Sequence, residues 1–168
     1  MRSQEAPSAT PFDATSNNAG PNAPEPFLNP VGILGVEGVY DLVGLRDRHF
    51  ESSIYQDIVT NAFGLDEREW RKASPTTWLL EKASLAESWP EGRVLVIAQS
   101  HEDGLVEDDQ ATELLHAVGL DGNRSAGRKD ELMWLRGLHD QIWEEGHELA
   151  AAILHSICLL APPSSRLS

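Results

Sequence analysis

Two side chains that could share a proton each follow a predicted β-strand. Asp103 lies in the loop after the apolar run 93–99, and His139 lies in the turn after the shorter run 131–136. The carboxyl ends of neighbouring parallel strands meet at one edge of a sheet, so the two side chains are expected to lie close together. A carboxylate beside an imidazole fixes its tautomer and stabilises the imidazolium formed during proton transfer. This order of an acid after one strand and a histidine after the next is what is needed to orient an imidazole as a general base.

Simpler interpretations exist for the same residues and their neighbours. Asp103 belongs to an acidic loop whose side chains could merely be solvated, and Asp108 or Asp109 could cap the next helix. His139, just before a predicted helix, could be a capping or turn residue. The remaining candidate histidines lack partners at metal-binding spacing, and the acidic loop does not fit a calcium-binding pattern. The sequence therefore predicts neither a metal nor a cofactor, and it favours surface or packing roles for His116, His147 and His155.

The five tryptophans are predicted to pack in the core rather than to form a binding wall. Trp70 and Trp78 flank a loop region, which makes them the better candidates for a substrate lid. The others are Trp89, Trp134 and Trp143.

The elements that would position Asp103 and His139 alternate between strands and helices. This alternation predicts an α/β fold with about three parallel strands, right-handed crossovers and flanking helices. The strands are expected at 31–40, 93–99 and 131–136, and the helices at 50–63, 66–72, 108–118 and 140–157, with loop and helix over 76–88. Six of the ten prolines fall in 1–30, which predicts a disordered tail there, a folded unit over 31–157 and a second disordered tail over 158–168.

Composition narrows the classes of protein. The 168 residues carry 13 basic and 27 acidic side chains, a net charge of −14, which disfavours binding to nucleic acids. The single cysteine, Cys158, excludes a disulfide framework within one chain and fits a reducing, cytoplasmic location. The sequence has no apolar run near 18 residues, so no membrane span is predicted.

Four ordered segments resemble the kynurenine formamidases, which are arylformamidases of the α/β-hydrolase superfamily. They are GVEGVYDL at 35–42, AFG with WRKASP over 62–75, QSHEDGLV at 99–106 and GLHD at 137–140. The resemblance implies the C-terminal part of an α/β-hydrolase fold, with Asp103 as the catalytic acid and His139 as the catalytic histidine. It also implies hydrolysis of N-formylkynurenine to kynurenine and formate, in tryptophan breakdown. Gln99 and Gly104 depart from the family's acid loop, where His and Glu are usual.

The nucleophile that this family needs is missing from the sequence. It contains no GxSxG elbow and no His-Gly-Gly segment for an oxyanion hole. Ser16 lacks the preceding strand and glycine, and nothing marks the hydroxyl of Ser100 as activated. The isolated chain is therefore predicted to lack formamidase activity.

Two alternatives to a formamidase remain open. One is a non-catalytic interaction module, and the other is part of a carboxylesterase completed by a separate polypeptide. The first strand, over 31–40, would leave one edge of the sheet open, and an open edge favours self-association.

Overall fold

A three-stranded parallel sheet forms the centre of the protein, as the sequence predicts. The computed structural model describes residues 29–81, 85–119 and 127–161. Strands β1 (Gly32–Val36), β2 (Val94–Ser100) and β3 (Lys129–Leu135) follow one another in the sheet in the order β1-β2-β3. Every residue of the central strand β2 is buried, because its run of apolar and β-branched residues is covered on both faces. The predicted α/β class is confirmed.

The first strand is shorter than the predicted 31–40. It ends at Val36, and the next residue, Glu37, adopts a left-handed backbone with φ of 50°. The backbone N–H groups of Tyr40 and Asp41 both donate to the side-chain carbonyl of Gln110, at 2.7 Å each. These bonds draw the chain away from the sheet, so the apolar residues after Val36 do not extend the strand.

In the described part of the connection from β1 to β2 there are five helical segments, and the first of them was not predicted from the sequence. They are α1 (Leu42–Arg48), α2 (Ser53–Phe63), α3 (Glu67–Ala73), α4 (Pro75–Glu81) and α5 (Leu85–Ser88). Helix α1 was missed, although its first turn is capped by the Asp41 carboxylate, which accepts from the Val43 N–H at 3.1 Å. The helix predicted from residue 50 begins at Ser53 instead. Helix α3 agrees with its prediction, and it ends before Pro75 as expected.

The remaining helices cover the two faces of the sheet. Helix α6 (Asp108–Val118) has the predicted bounds and ends at Gly119, whose backbone is left-handed. The helix predicted over 140–157 is two helices, α7 (His139–Glu145) and α8 (His147–Leu160). Gly146 separates them with φ of 72°. Residues that have a Cβ rarely adopt this backbone conformation, and a continuous α-helix cannot contain it.

The described core has an apolar cluster on each face of the sheet, and a third cluster lies among α1, α2 and α3. On one face Leu95 and Ile97 of β2 pack with Leu114 and Leu115 of α6. On the other face Ala98 and Leu135 pack with helices α7 and α8, through residues Ile142 and Ala152. Asp103 and His139 follow the carboxyl ends of β2 and β3.

The predicted tails fall largely outside the described residues. Residues 1–28 and 162–168 are not described, so the Pro-rich tail over 1–30 and most of the tail over 158–168 stay predictions. Residues 158–160 are helical, because α8 continues to Leu160. Over the described ranges, no helix is long and apolar enough to cross a membrane.

Candidate active site

The structure brings the two predicted site residues into contact. The Nδ1 atom of His139, the first residue of α7, lies 2.8 Å from the Oδ2 atom of Asp103. The Asp103 side chain is fully buried, whereas 24% of the His139 side chain remains exposed. Because a carboxylate only accepts hydrogen bonds, Nδ1 carries the proton in this contact. In the neutral ring the other nitrogen, Nε2, then carries no proton and can accept one from a substrate or nucleophile.

Backbone groups fix the orientation of the Asp103 carboxylate. Its Oδ1 atom accepts from the N–H groups of Leu105 and Val106, at 2.7 and 3.0 Å. These two bonds hold Oδ1 against the loop and leave Oδ2 directed at His139. Burial opposes ionisation of Asp103. The neighbouring Glu37 carboxyl group and the hydrogen bonds from His139 and these two backbone groups outweigh burial and hold the pKa of Asp103 below its ordinary value.

Loop contacts between the ends of β2 and β3 position the histidine. The Ser100 hydroxyl donates to the Gly137 carbonyl at 2.7 Å, and the Gly137 N–H donates to the Glu102 carboxylate at 3.3 Å. Gly137 has φ of 108°, which turns the chain sharply from β3 into α7. The Ser100 hydroxyl, which also accepts from the Glu102 N–H at 3.1 Å, therefore joins the two loops.

A third ionisable residue, Glu37, completes the cluster and was missed in the sequence. Its side chain is fully buried; its Oε1 accepts from the Ser100 N–H at 2.7 Å and its Oε2 lies 3.5 Å from His139 Nδ1. Burial first, and then the neighbouring Asp103 carboxyl group, raise the pKa of Glu37 to about 8. Glu37 directly follows β1, so the rule that predicted Asp103 and His139 would have found it. The overlong strand prediction placed Glu37 within the strand instead.

The cluster suits proton sharing better than metal binding. Potential ligand atoms of Glu37, Asp103 and His139 all lie within 4.8 Å of one another, the one such group among the described residues. The separation of 2.8 Å between Nδ1 and Oδ2 is that of a charge-assisted hydrogen bond. A proton shared between Nδ1 and Oδ2 accounts for this separation, so the arrangement can support acid–base chemistry.

An open cleft of about 490 Å³ adjoins the exposed side of His139. It is lined by the loop after Asp103 and by the first turns of α7, with Leu105 and Leu138 as its large apolar residues. Both leucine side chains are exposed, at 51% and 60%. The cleft thus offers apolar contacts next to the histidine.

Most of the other candidate residues have structural roles. Trp70 is 2% exposed and packs with α1 and α2 residues, so the suggestion that it forms a lid is wrong. Trp78 lines an apolar cavity between α4 and the sheet. His155 pairs with Glu131 at 2.7 Å, as expected of a surface histidine. Glu107, rather than Asp108 or Asp109, is the N-cap of α6, and both aspartates lie in its first turn.

Comparisons with known proteins identify the family. A kynurenine formamidase-like hydrolase from Fusarium equiseti is 32% identical over 146 residues, which is 87% of this chain and 44% of that protein. A kynurenine formamidase from Aspergillus versicolor is 27% identical over 132 residues, covering 69% of this chain and 44% of its own length. The chain thus spans less than half the length of these curated relatives. No family model matches the chain, and no solved structure matches it. Given these similarities over most of its length, together with the parallel α/β sheet, the chain belongs to the kynurenine formamidase family of hydrolases.

Proposed function

We propose that Asp103 and His139 are the acid and the base of a hydrolase acting on aryl formamides such as N-formylkynurenine. The observation that carries this proposal is the hydrogen bond of 2.8 Å between His139 Nδ1 and a fully buried carboxylate. It leaves Nε2 as the proton acceptor beside an open cleft. The names of the two relatives supply the class of substrate.

The proposed reaction needs a serine that this sequence does not provide in a GxSxG elbow. His139 Nε2 takes the hydroxyl proton while the serine oxygen attacks the formyl carbon, and Asp103 stabilises the imidazolium. His139 then gives the proton to the departing aniline nitrogen as the C–N bond breaks. His139 Nε2 then deprotonates a water molecule, which attacks the formyl ester. Formate leaves, and the proton returns from the imidazolium to the serine oxygen. The proposal therefore includes that the 168-residue chain alone does not turn over this substrate.

The cleft beside His139 supports an aromatic substrate. Leu105 and Leu138 border it with exposed apolar side chains, one on each of the two loops that carry the acid and the histidine. An aryl ring placed between them would bury apolar surface, which is favourable at about 25 cal/mol per Å². Its formamide nitrogen would then lie next to the imidazole that protonates it.

A chimeric enzyme tests the proposal. In the chimera, this chain replaces the matched 146-residue region of the Fusarium relative. We expect the chimera to hydrolyse N-formylkynurenine and the His139→Ala variant to lose at least about 10³-fold in kcat, because the general base is removed. Release of formate and the absorbance of kynurenine measure turnover.

The matched control for this experiment is His147→Ala, which removes an exposed histidine from the next helix. It is expected to retain the activity of the chimera. A folded chimera, verified by circular dichroism, that shows no turnover would contradict the proposal, and so would one whose turnover survives His139→Ala. Turnover by the isolated 168-residue chain would contradict the requirement for an additional serine.

The open edge of β1 favours a second candidate function, an interaction module that associates with its own copies. Among the described residues β1 pairs only with β2, and Val31 and Ile33 at this edge are 42% and 41% exposed. Unpaired strand edges with apolar side chains favour association.

We expect light scattering to show a mass that rises with protein concentration, and we expect Ile33→Lys to reduce that mass. Leu65→Lys, at an 88% exposed position in the loop between α2 and α3, should leave the mass unchanged. A concentration-independent monomer would exclude this candidate.

A further inference from the structure

The buried carboxyl group of Glu37 lies behind the Asp103–His139 pair. We propose that Glu37 is a positioning residue that stays protonated at neutral pH and donates a hydrogen bond to Asp103, so that the pair of carboxyl groups presents one negative charge to His139. This inference extends the proposed function, because it concerns the same acid and histidine.

The hydrogen-bond partners of the four carboxylate oxygens show where the proton must be. Asp103 Oδ1 accepts from two backbone N–H groups and Oδ2 accepts from His139. Glu37 Oε1 accepts from the Ser100 N–H. Glu37 Oε2 is buried and has no hydrogen-bond donor among the described residues. An unsatisfied buried acceptor is costly, and a proton on Oε2 turns it into a donor whose neighbouring acceptor is Asp103.

The local charges favour the same arrangement. Two buried carboxylates this close to one another do not both ionise, because their repulsion is poorly screened. Asp103 has three hydrogen-bond donors besides Glu37 and therefore keeps the charge, whereas Glu37 has one. Of the other groups near Glu37, Asp108 on α6 adds negative charge, and Tyr40 is a neutral phenol whose own pKa is raised to about 12. Among the described residues, the basic group paired with Glu37 is His139, whose Nδ1 lies 3.5 Å from its Oε2.

The backbone holds Glu37 in this position. The Glu37 N–H donates to the Ala98 carbonyl at 2.9 Å, which attaches the residue to β2. Glu37 comes directly after the last residue of β1 and has a left-handed backbone with φ of 50°. A residue other than glycine, asparagine or aspartate rarely adopts this conformation, because its Cβ lies too close to the carbonyl oxygen. When Glu37 loses its proton, Oε2 becomes a second acceptor 3.5 Å from His139 Nδ1 and competes with Asp103 for the ring.

NMR on the 168-residue chain tests the inference without any enzymatic turnover. With 13Cδ-labelled glutamate, the Glu37 resonance, assigned by its loss in Glu37→Gln, is expected to titrate near pH 8 instead of near the ordinary 4.5. In Asp103→Asn the midpoint should fall by at least about one pH unit, because a like charge is replaced by an amide that donates.

The positioning role has its own measurement. The Nδ1–H proton resonance of His139 is expected in the wild type and in Glu37→Gln, since glutamine keeps a neutral donor next to Asp103. In Glu37→Ala, we expect this resonance to be lost through exchange with water, while the dispersion of the backbone amide signals verifies that the chain is folded. In an Ala variant that does not fold, Glu37→Gln and the titration of the carboxyl carbon still decide the question.

Two results would overturn the inference. One is a Glu37 carboxyl that titrates near 4.5, and the other is an imidazole resonance that persists unchanged in a folded Glu37→Ala variant. Neither bears on whether the chimera hydrolyses a formamide, so the inference and the proposed function can fail separately.

Discussion

Asp103→Asn in the chimera is expected to lower kcat by about 10⁴-fold while leaving the fold intact, an effect of the magnitude that loss of the correct histidine tautomer causes in serine proteases. The reason lies in the orientation of the carboxylate. The N–H groups of Leu105 and Val106 keep an oxygen at the Oδ1 position, so the NH₂ group of the asparagine must take the place of Oδ2. That NH₂ group donates to His139 Nδ1, which moves the ring proton to Nε2. The imidazole can then no longer accept a proton from the nucleophile.

The kinetics of a matched variant separate this tautomer effect from a general loss of acidic charge. Asp57→Asn makes the same chemical change at an exposed position of α2 that does not line the cleft beside His139. It is expected to change kcat by less than about threefold, as surface substitutions usually have small effects. If Asp103→Asn reduced kcat by less than about tenfold in a folded chimera, Asp103 would not be the group that orients the histidine.

The sequence predicted correctly those elements whose local pattern of apolar residues matches the burial of the same residues in the fold. Strand β2 was recognisable because its β-branched run is buried on both faces, and α6 because its apolar face and its terminal glycine give the same bounds. Helix α1 was missed because its seven residues follow an apolar segment that resembles a continuing strand. What ends that strand is a contact with Gln110, about 70 residues away, which no local pattern contains.

The site was partly predictable for the same reason. Topology alone brings the ends of neighbouring parallel strands together, so the contact of Asp103 with His139 followed from the order of the elements. Glu37 occupies the equivalent position after β1. It could have been assigned to the site only if the end of that strand had been predicted correctly. The distribution of donors among the carboxylate oxygens comes from backbone geometry, and the sequence contains no signal for it.

The raised pKa of Glu37 also makes the stability of the chain depend on pH, with a sign opposite to that of most carboxyl groups. The pKa is about 8 in the folded chain, against about 4.5 for an ordinary glutamate such as that of the unfolded chain. Between these values the folded chain binds a proton that the unfolded chain has released. The free energy of unfolding therefore falls as pH rises across this window, by at most about 1.4 kcal/mol for each pH unit, and this contribution is lost completely above the folded pKa.

Glu37→Gln should remove this dependence, since glutamine fills the same space and does not titrate. The free energy of unfolding of Glu37→Gln minus that of the wild type is expected to increase with pH from about 5 to about 8, reaching several kcal/mol, as measured by urea unfolding at each pH. Asp103 acts in a separate window, because its lowered pKa contributes stability that is lost only as pH falls through that pKa. Glu51→Gln, at an exposed position, controls for the loss of one acidic side chain from a chain of net charge −14. If the difference in free energy of unfolding between Glu37→Gln and the wild type stays constant across this range, Glu37 is ionised in the folded protein. The inference that Glu37 and Asp103 together carry one negative charge would then be wrong.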